Sequence, residues 1–429
     1  MTTIKNKTFC IVPFRLMYSL NNGDFRACCY SEPGLPSDID PTQPANFFKE
    51  PIEQVWNNEY FTKLRTDLVN GVQNKTCETC WKKESNGEFS YRQKFNLNYT
   101  DKEKETMLTE ALHNNGTLSW TPKIIQIKIG SLCNLKCIMC NQASSNLHEE
   151  EIVEWKKKNI EIPTYLKWID NYKLDWKGID ENTNLETVYN NYKVGLENAE
   201  MLQLVGGEPL VNPITGYIIE RIIEEGYASK LQLYIISNLT TLNDKILKHF
   251  SEFKQTVISI SWDHVDPDKF RYIRFPARYD HFKKNVERLL NKPNIVPKIS
   301  TTFSIFNIFD LEEILDEFER ISNTINGPFS INFNIVEKPT YFSIRYLEPE
   351  QKQSIIDLVK AYLIKNKDYK IFKDSPDLFN ILDTFENLLN NSTDDFKMVV
   401  EERTRVLQLY DDTRGTDYRS MFPYIKEYV

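Results

Sequence analysis

The sequence runs to 429 residues, 41% hydrophobic and 27% charged, an ordinary globular balance with enough length for roughly two or three domains. A formal net charge of -8 gives no bulk attraction to phosphate, which disfavours bulk nucleic-acid binding or adhesion to an anionic membrane. The first ten residues lack the apolar run of a secretory signal, and no stretch of about 18 apolar residues could span a bilayer, so a cytoplasmic location is expected.

In a reducing compartment, clustered cysteines point to metal or catalysis rather than disulfides. All eight, Cys10, Cys28, Cys29, Cys77, Cys80, Cys133, Cys137 and Cys140, fall in the first third of the chain. Residues 1 to about 120 are punctuated by Pro33, Gly34, Pro36, Pro41, Pro44 and Pro51, so few long elements are expected there and the segment is expected to lean on metal for order. Two cysteine pairs in this region, Cys10 with Cys28 and Cys77 with Cys80, offer four thiolates. Four saturate either a 4Fe-4S cluster or a zinc ion, and spacing does not separate the two metals.

At Lys123 the pattern changes. Residues 123–130 alternate like a strand and run directly into Cys133, Cys137 and Cys140. Strand-like runs follow at 201–205, 231–236, 257–262, 295–303 and 330–336, with helix-like stretches at 214–225, 243–253, 280–290 and 311–321 between them. Six strands alternating with helices predict an α/β fold built on a parallel array, with the active site at the C-terminal ends of the strands. The long connection from Ser144 to Glu200, with Trp155, Trp168 and Trp176 among many charges, reads as a helical insertion or lid, and the chain beyond about Glu348 reads as mostly helical.

Three cysteines spaced x3 and x2 on one loop can each bind one iron of a 4Fe-4S cube and leave the fourth iron open to a bidentate amino-carboxylate group. The run Cys133-Asn-Leu-Lys-Cys137-Ile-Met-Cys140 resembles the signature of the radical S-adenosylmethionine (SAM) superfamily, with Met139 where the family often has an aromatic residue. Leu204-Val-Gly-Gly-Glu-Pro209 resembles that family's GGEP motif, which implies that Gly206, Gly207 and Glu208 bind the methionyl amine of SAM. Ser237, Asn238, Ser261 and Asp263 stand at strand ends similar to ribose-contacting positions, and Arg274 resembles the arginine that pairs with the SAM carboxylate. The resemblance covers about Lys123 to Glu348 and implies a partial (β/α)6 TIM-type barrel.

Cys10, twelve residues, Gly23, four residues and Cys28 resemble the SPASM and twitch domains that hold auxiliary iron-sulfur clusters, although here the segment precedes the barrel instead of following it. One auxiliary 4Fe-4S cluster on Cys10, Cys28, Cys77 and Cys80 is implied, the glycine spacing favouring Cys28 over Cys29. The expected domains are thus 1–120, a Cys-rich twitch/SPASM-like unit; 121–348, a radical SAM partial barrel with an insertion at about 144–200; and 349–429, a helical C-terminal region.

The family reading implies reductive cleavage of SAM, hydrogen abstraction from a substrate, and an electron donor such as flavodoxin or ferredoxin. A peptide is the favoured substrate, with a nucleotide, a sugar or another small metabolite as alternatives; a metal-stabilised scaffold without SAM cleavage is the rival of another class. No side chain is identifiable as a catalytic acid, base or second radical residue. His113, His148, His249, His264 and His281 show no ligand spacing and read as surface or packing residues. The segments 337–347 and 411–414 resemble parts of twitch-type proteins and read as packing and turn.

Overall fold

The computed structural model describes residues 6–31, 45–87, 89–171, 183–290, 292–327, 329–375, 385–386 and 395–425. Eight strands form one sheet: β1 Leu16–Ser19, β2 Phe25–Arg26, β3 Ile124–Lys128, β4 Met201–Val205, β5 Gln232–Ser237, β6 Gln255–Ser261, β7 Ile295–Phe303 and β8 Ser330–Ile335. Their spatial order is β2-β1-β3-β4-β5-β6-β7-β8, antiparallel between β1 and β2 and parallel throughout the rest. The six strands expected from periodicity are β3 to β8.

Helices return the chain between these strands, and their starts follow local chemistry. Asn212 and Asn243 accept from the backbone N–H groups of Ile214 and Ile246, at 3.1 and 2.8 Å, and open the helices Pro213–Glu224 and Asp244–Phe250. Tyr279–Leu289 buries Phe282, Val286 and Leu289, and Leu311–Ser322 buries Leu311, Ile314, Leu315 and Phe318, in each case one apolar stripe laid on the sheet. Every βα return therefore leaves its strand at the same end, and that end carries the site.

The N-terminal segment departs from expectation. Its hairpin extends the barrel sheet, with Leu16 of β1 in register with Ile124 of β3. It also holds two sizeable helices, Glu59–Val69 and Asp101–His113. The second opens on a capping box between Thr100 and Glu103, a start signal that proline punctuation upstream obscured. Much of its order comes from a buried cation. Arg65 donates to the carbonyls of Pro13 (2.8 Å), Trp56 (2.8 Å) and Gly116 (3.1 Å) and to Asn57 Oδ1 (3.0 Å), with its guanidinium 4.3 Å from the Trp56 ring centre. Pro33, Gly34, Pro36, Pro41 and Pro44 lie outside the described residues.

The 144–200 connection is helical, as Asn146–Lys157, Thr164–Asn171 and Leu185–Asn198. The last of these is a wall of the core rather than a lid: Tyr189 and Tyr192 are buried, and Tyr192 packs edge-on to Phe25 of β2 at 5.8 Å. Trp155 is buried, whereas Trp176 and the side chain of Trp168 lie outside the described residues. Helices Pro349–Lys365 and Phe396–Arg414 close the chain. Among the described residues no helix is long and apolar enough to cross a membrane.

Replacing Arg65 with Met would strand buried carbonyls of three separate segments. A loss of about 3 kcal/mol in urea-unfolding stability is expected; a change under about 1 kcal/mol would show that the N-terminal fold does not depend on this network.

Candidate active site and auxiliary thiol site

The loop after β3 has no secondary structure of its own, and its shape is imposed by hydrogen bonds from elsewhere. Lys136 N–H donates to Phe275 O (2.7 Å) and Ile138 N–H to Ile273 O (2.9 Å), pinning the loop to the segment that follows β6. Asn146 Oδ1 accepts from Cys133 N–H at 2.8 Å, and Ser145 Oγ donates to Leu135 O at 2.6 Å. Leu135 and Ile138 point into the core. The intervening thiols of Cys133, Cys137 and Cys140 are thereby left facing one cavity of about 1200 Å³.

Gly206, Gly207, Glu208, Ser237, Asn238, Ser261, Asp263 and Arg274 line that same cavity, so every barrel residue singled out from the sequence converges on it. The two glycines have positive φ, +90° and +49°, and no room for a side chain: a Cβ would come within 2.4 Å of Lys128 Cγ at Gly206 and within 2.3 Å of Leu132 O at Gly207. Glu208 N–H donates back to Leu132 O at 2.8 Å, fastening the end of β4 to the cysteine loop.

The Glu208 carboxylate is 1% exposed and bridges two strand ends. It accepts from Ser237 Oγ (2.7 Å), Asn238 N–H (2.6 Å) and Leu210 N–H (3.0 Å). Burial raises its pKa while these bonds oppose the rise. These bonds give Glu208 a structural task that its motif did not reveal: it braces β4 against β5. Asp263 likewise accepts from Thr302 N–H at 2.8 Å and pairs with Arg274 at 2.6 Å. Arg274 Nε is buried without a hydrogen-bond partner.

Burial pushes the three thiols above their ordinary range, Cys137 up to about 12, with Arg274 opposing the rise at Cys137 and Lys128 and Arg274 opposing it at Cys140. Thiolates here need a cationic partner, which iron supplies as it displaces the protons.

Three side chains behind the loop had no sequence signal. Arg414, at the end of the final long helix, donates to Glu151 (2.7 and 3.0 Å), which also pairs with Lys136 of the loop at 2.8 Å. The 411–414 segment, read from sequence as packing and turn, thus buttresses the triad through Glu151, 263 residues away in the chain. His148 is fully buried, burial holds its pKa down to about 4, and its neutral Nε2–H donates to Cys137 O at 2.9 Å. The start of the insertion is therefore a brace of the cysteine loop.

The remaining cysteines form a second site. Cys10, Cys28, Cys77 and Cys80 line one cavity of about 20 Å³, whereas Cys29 is exposed and outside it. The Gly23 turn (φ +89°) that precedes Cys28 admits no side chain, since a Cβ would lie 2.5 Å from Asn46 Oδ1. Burial again raises the thiols of Cys10, Cys28 and Cys77, Cys28 to about 11 and Cys77 to about 12. Among the described residues no three His, Cys, Asp or Glu side chains converge as a single metal ion would require. The ligands of a cube sit on separate irons, so they stand farther apart than those of one ion.

Family models match this chain twice: the radical SAM superfamily over residues 127–321 and the SPASM iron-sulfur cluster-binding domain over residues 10–81. The chain carries a radical SAM domain with a SPASM domain ahead of it. The radical SAM domain implies a 4Fe-4S cluster and SAM, and the SPASM domain an additional iron-sulfur cluster. In donor type and number both thiol sets suit such groups, one open with three cysteines and one closed with four.

Among solved structures, SuiB of Streptococcus suis bound to precursor peptide SuiA is similar at 16% identity over 71% of this chain and 64% of that one, with a TM-score of 0.41. Native anSMEcpe with bound AdoMet is similar at 15% identity over 57% of this chain and 60% of that one, with a TM-score of 0.39. The chain thus spans 60–64% of the length of these two structures. No curated protein matches it.

Two substitutions probe the sites separately. Gly207→Ala is expected to cost about 1–3 kcal/mol and to lower iron retention at the radical SAM domain, whereas Gly226→Ala, at φ +80° with nothing within 4 Å, leaves iron content unchanged; equal iron in both variants would contradict the tight Gly207–Leu132 contact. In the auxiliary site, Cys28→Ala should remove about four irons per chain and Cys29→Ala none, by iron and sulfide assay, and the reverse order would overturn the ligand choice.

Proposed function

We propose that Cys133, Cys137 and Cys140 hold a 4Fe-4S cluster, that SAM binds against Gly206, Gly207, Glu208, Ser237, Asn238, Ser261, Asp263 and Arg274, and that the enzyme modifies a peptide by hydrogen abstraction. Cys10, Cys28, Cys77 and Cys80 hold a second, closed 4Fe-4S cluster suited to passing electrons. The observation that carries this reading is the convergence of the three thiols and all eight of those residues on one cavity at the C-terminal ends of β4 to β6.

When bound, the cluster and SAM supply reductive cleavage to methionine and a 5'-deoxyadenosyl radical. The protein's part is to bind, orient and exclude water. Glu208, braced by Ser237 and Asn238, presents its remaining lone pairs to the methionyl amine. Arg274, aimed by Asp263 and with Nε unpartnered, serves the carboxylate. Ser261 and Asn238 offer donors to the ribose. Electrons reach the enzyme from a donor of flavodoxin or ferredoxin type.

The peptide assignment is supported by the walls of the cavity, whose volume of about 1200 Å³ also has to take the cluster and SAM. Its far side is built by Tyr30, Phe89 and Leu97 of the N-terminal segment, large hydrophobic side chains that are 41%, 60% and 74% exposed. An extended chain laid between barrel and SPASM domain would cover them. The corresponding division is an auxiliary domain over 1–120, a barrel over 121–348 and a helical C-terminal region over 349–429, with β1 of the first domain built into the sheet of the second.

Anaerobically prepared protein should contain about eight irons per chain and release 5'-deoxyadenosine when given dithionite and SAM. The triple Cys133/Cys137/Cys140→Ala variant should lose one cluster and all SAM cleavage; retained cleavage rejects the site. A low-mass extract of the source cells should stimulate 5'-deoxyadenosine formation, and protease treatment of that extract should abolish the stimulation. Stimulation that survives protease would contradict a peptide substrate.

A further inference from the structure

One cation in the cavity wall has no task in the reading above. Lys128 ends β3, and its stem lies across Gly206 so closely that the glycine can carry no side chain. Its ammonium is 3.4 Å from Ser144 Oγ. The other cations beside the triad are matched: Arg274 with Asp263 at 2.6 Å, and Lys136 and Arg414 with Glu151 at 2.8 and 2.7 Å. Among the described residues, no carboxylate pairs with Lys128.

Lys128 is half-buried, and an ammonium partly withdrawn from water without a counter-charge is disfavoured. Lys128 and Cys140 stand in the wall of one cavity, and Ser144, the hydroxyl beside the ammonium, lies on the loop just past Cys140. Cys140 as a bare thiol is neutral, however, and gives Lys128 nothing to pair with. An anion at the triad does.

We propose that Lys128 is the built-in counter-ion of the triad cluster on its Cys140 side and raises that cluster's reduction potential. This rests on the radical SAM reading of the site. Gaining an electron adds one negative charge to the cluster, and a fixed positive charge in the wall of the same cavity stabilises the reduced form more than the oxidised one. Gly206 has a second reason to lack a side chain, because a Cβ there would displace the stem that delivers this charge. Lys128 acts through the cluster and is a positioning residue, not a catalytic one.

The test is an EPR-monitored redox titration of the full-length, anaerobically reconstituted protein, comparing wild type, Lys128→Met and Lys128→Arg. The cluster whose signal responds to added SAM is followed, and the auxiliary cluster serves as internal reference. Lys128→Met should lower the reduction equilibrium constant of the SAM-sensitive cluster about tenfold, 59 mV for one electron. Lys128→Arg should stay near wild type, and the auxiliary signal should not move in either variant. If the Met variant cannot hold the triad cluster but the Arg variant can, the requirement for charge is likewise supported.

An unchanged midpoint in Lys128→Met overturns the proposal and leaves a substrate anion as the partner of Lys128. Loss of the cluster in both variants overturns it too, since packing of the stem would then be what matters. Wild-type protein without a SAM-sensitive cluster would instead refute the functional reading itself.

Discussion

Three thiols held toward one cavity by a loop without secondary structure are the constraint on which the rest of the molecule turns. Such a loop cannot hold itself, and here its carbonyls and N–H groups are taken up by the segment after β6, by the start of the Asn146–Lys157 helix and by the turn after β4. The parallel sheet matters because it brings these separate stretches to the same end. Glu208 extends the principle sideways, tying β4 to β5 with a carboxylate that has almost no access to water.

Much of the barrel was legible because its physics is local. The alternation in residues 295–303 and 201–205 places β7 and β4 to the residue, and the Gly206-Gly207 pair marks a turn that no other residue type fits. What escaped was of two kinds. The helices of the N-terminal segment were hidden by prolines concentrated nearby, although the Thr100–Glu103 capping box was present in the sequence. The Arg414–Glu151–Lys136 contact joins three distant parts of the chain, and no spacing rule connects them. His148 read as a packing residue, which describes its burial and misses its bond to the cysteine loop.

The structure also clarifies how the two thiol sites relate. Cys10 and Cys28 flank the hairpin that adds β1 and β2 to the barrel sheet, so the auxiliary site is joined to the barrel by backbone pairing as well as by side chains. Lys83 of the helix that carries Cys80 pairs with Glu337, just past β8, at 2.7 Å. Tyr30 stands in the wall of both cavities. A SPASM domain placed ahead of the barrel is thus still able to face the barrel mouth, because the sheet begins inside it.

The central claim is that one thiol set is open and the other closed, and that only the open one meets SAM. EPR spectra of the reduced, fully loaded protein, recorded before and after SAM is added, examine this directly. The account predicts two 4Fe-4S signals, one perturbed by SAM and absent from Cys137→Ala, the other indifferent to SAM and absent from Cys10→Ala. A SAM response that survives Cys137→Ala, or that disappears in Cys10→Ala while the triad cluster remains, would contradict it.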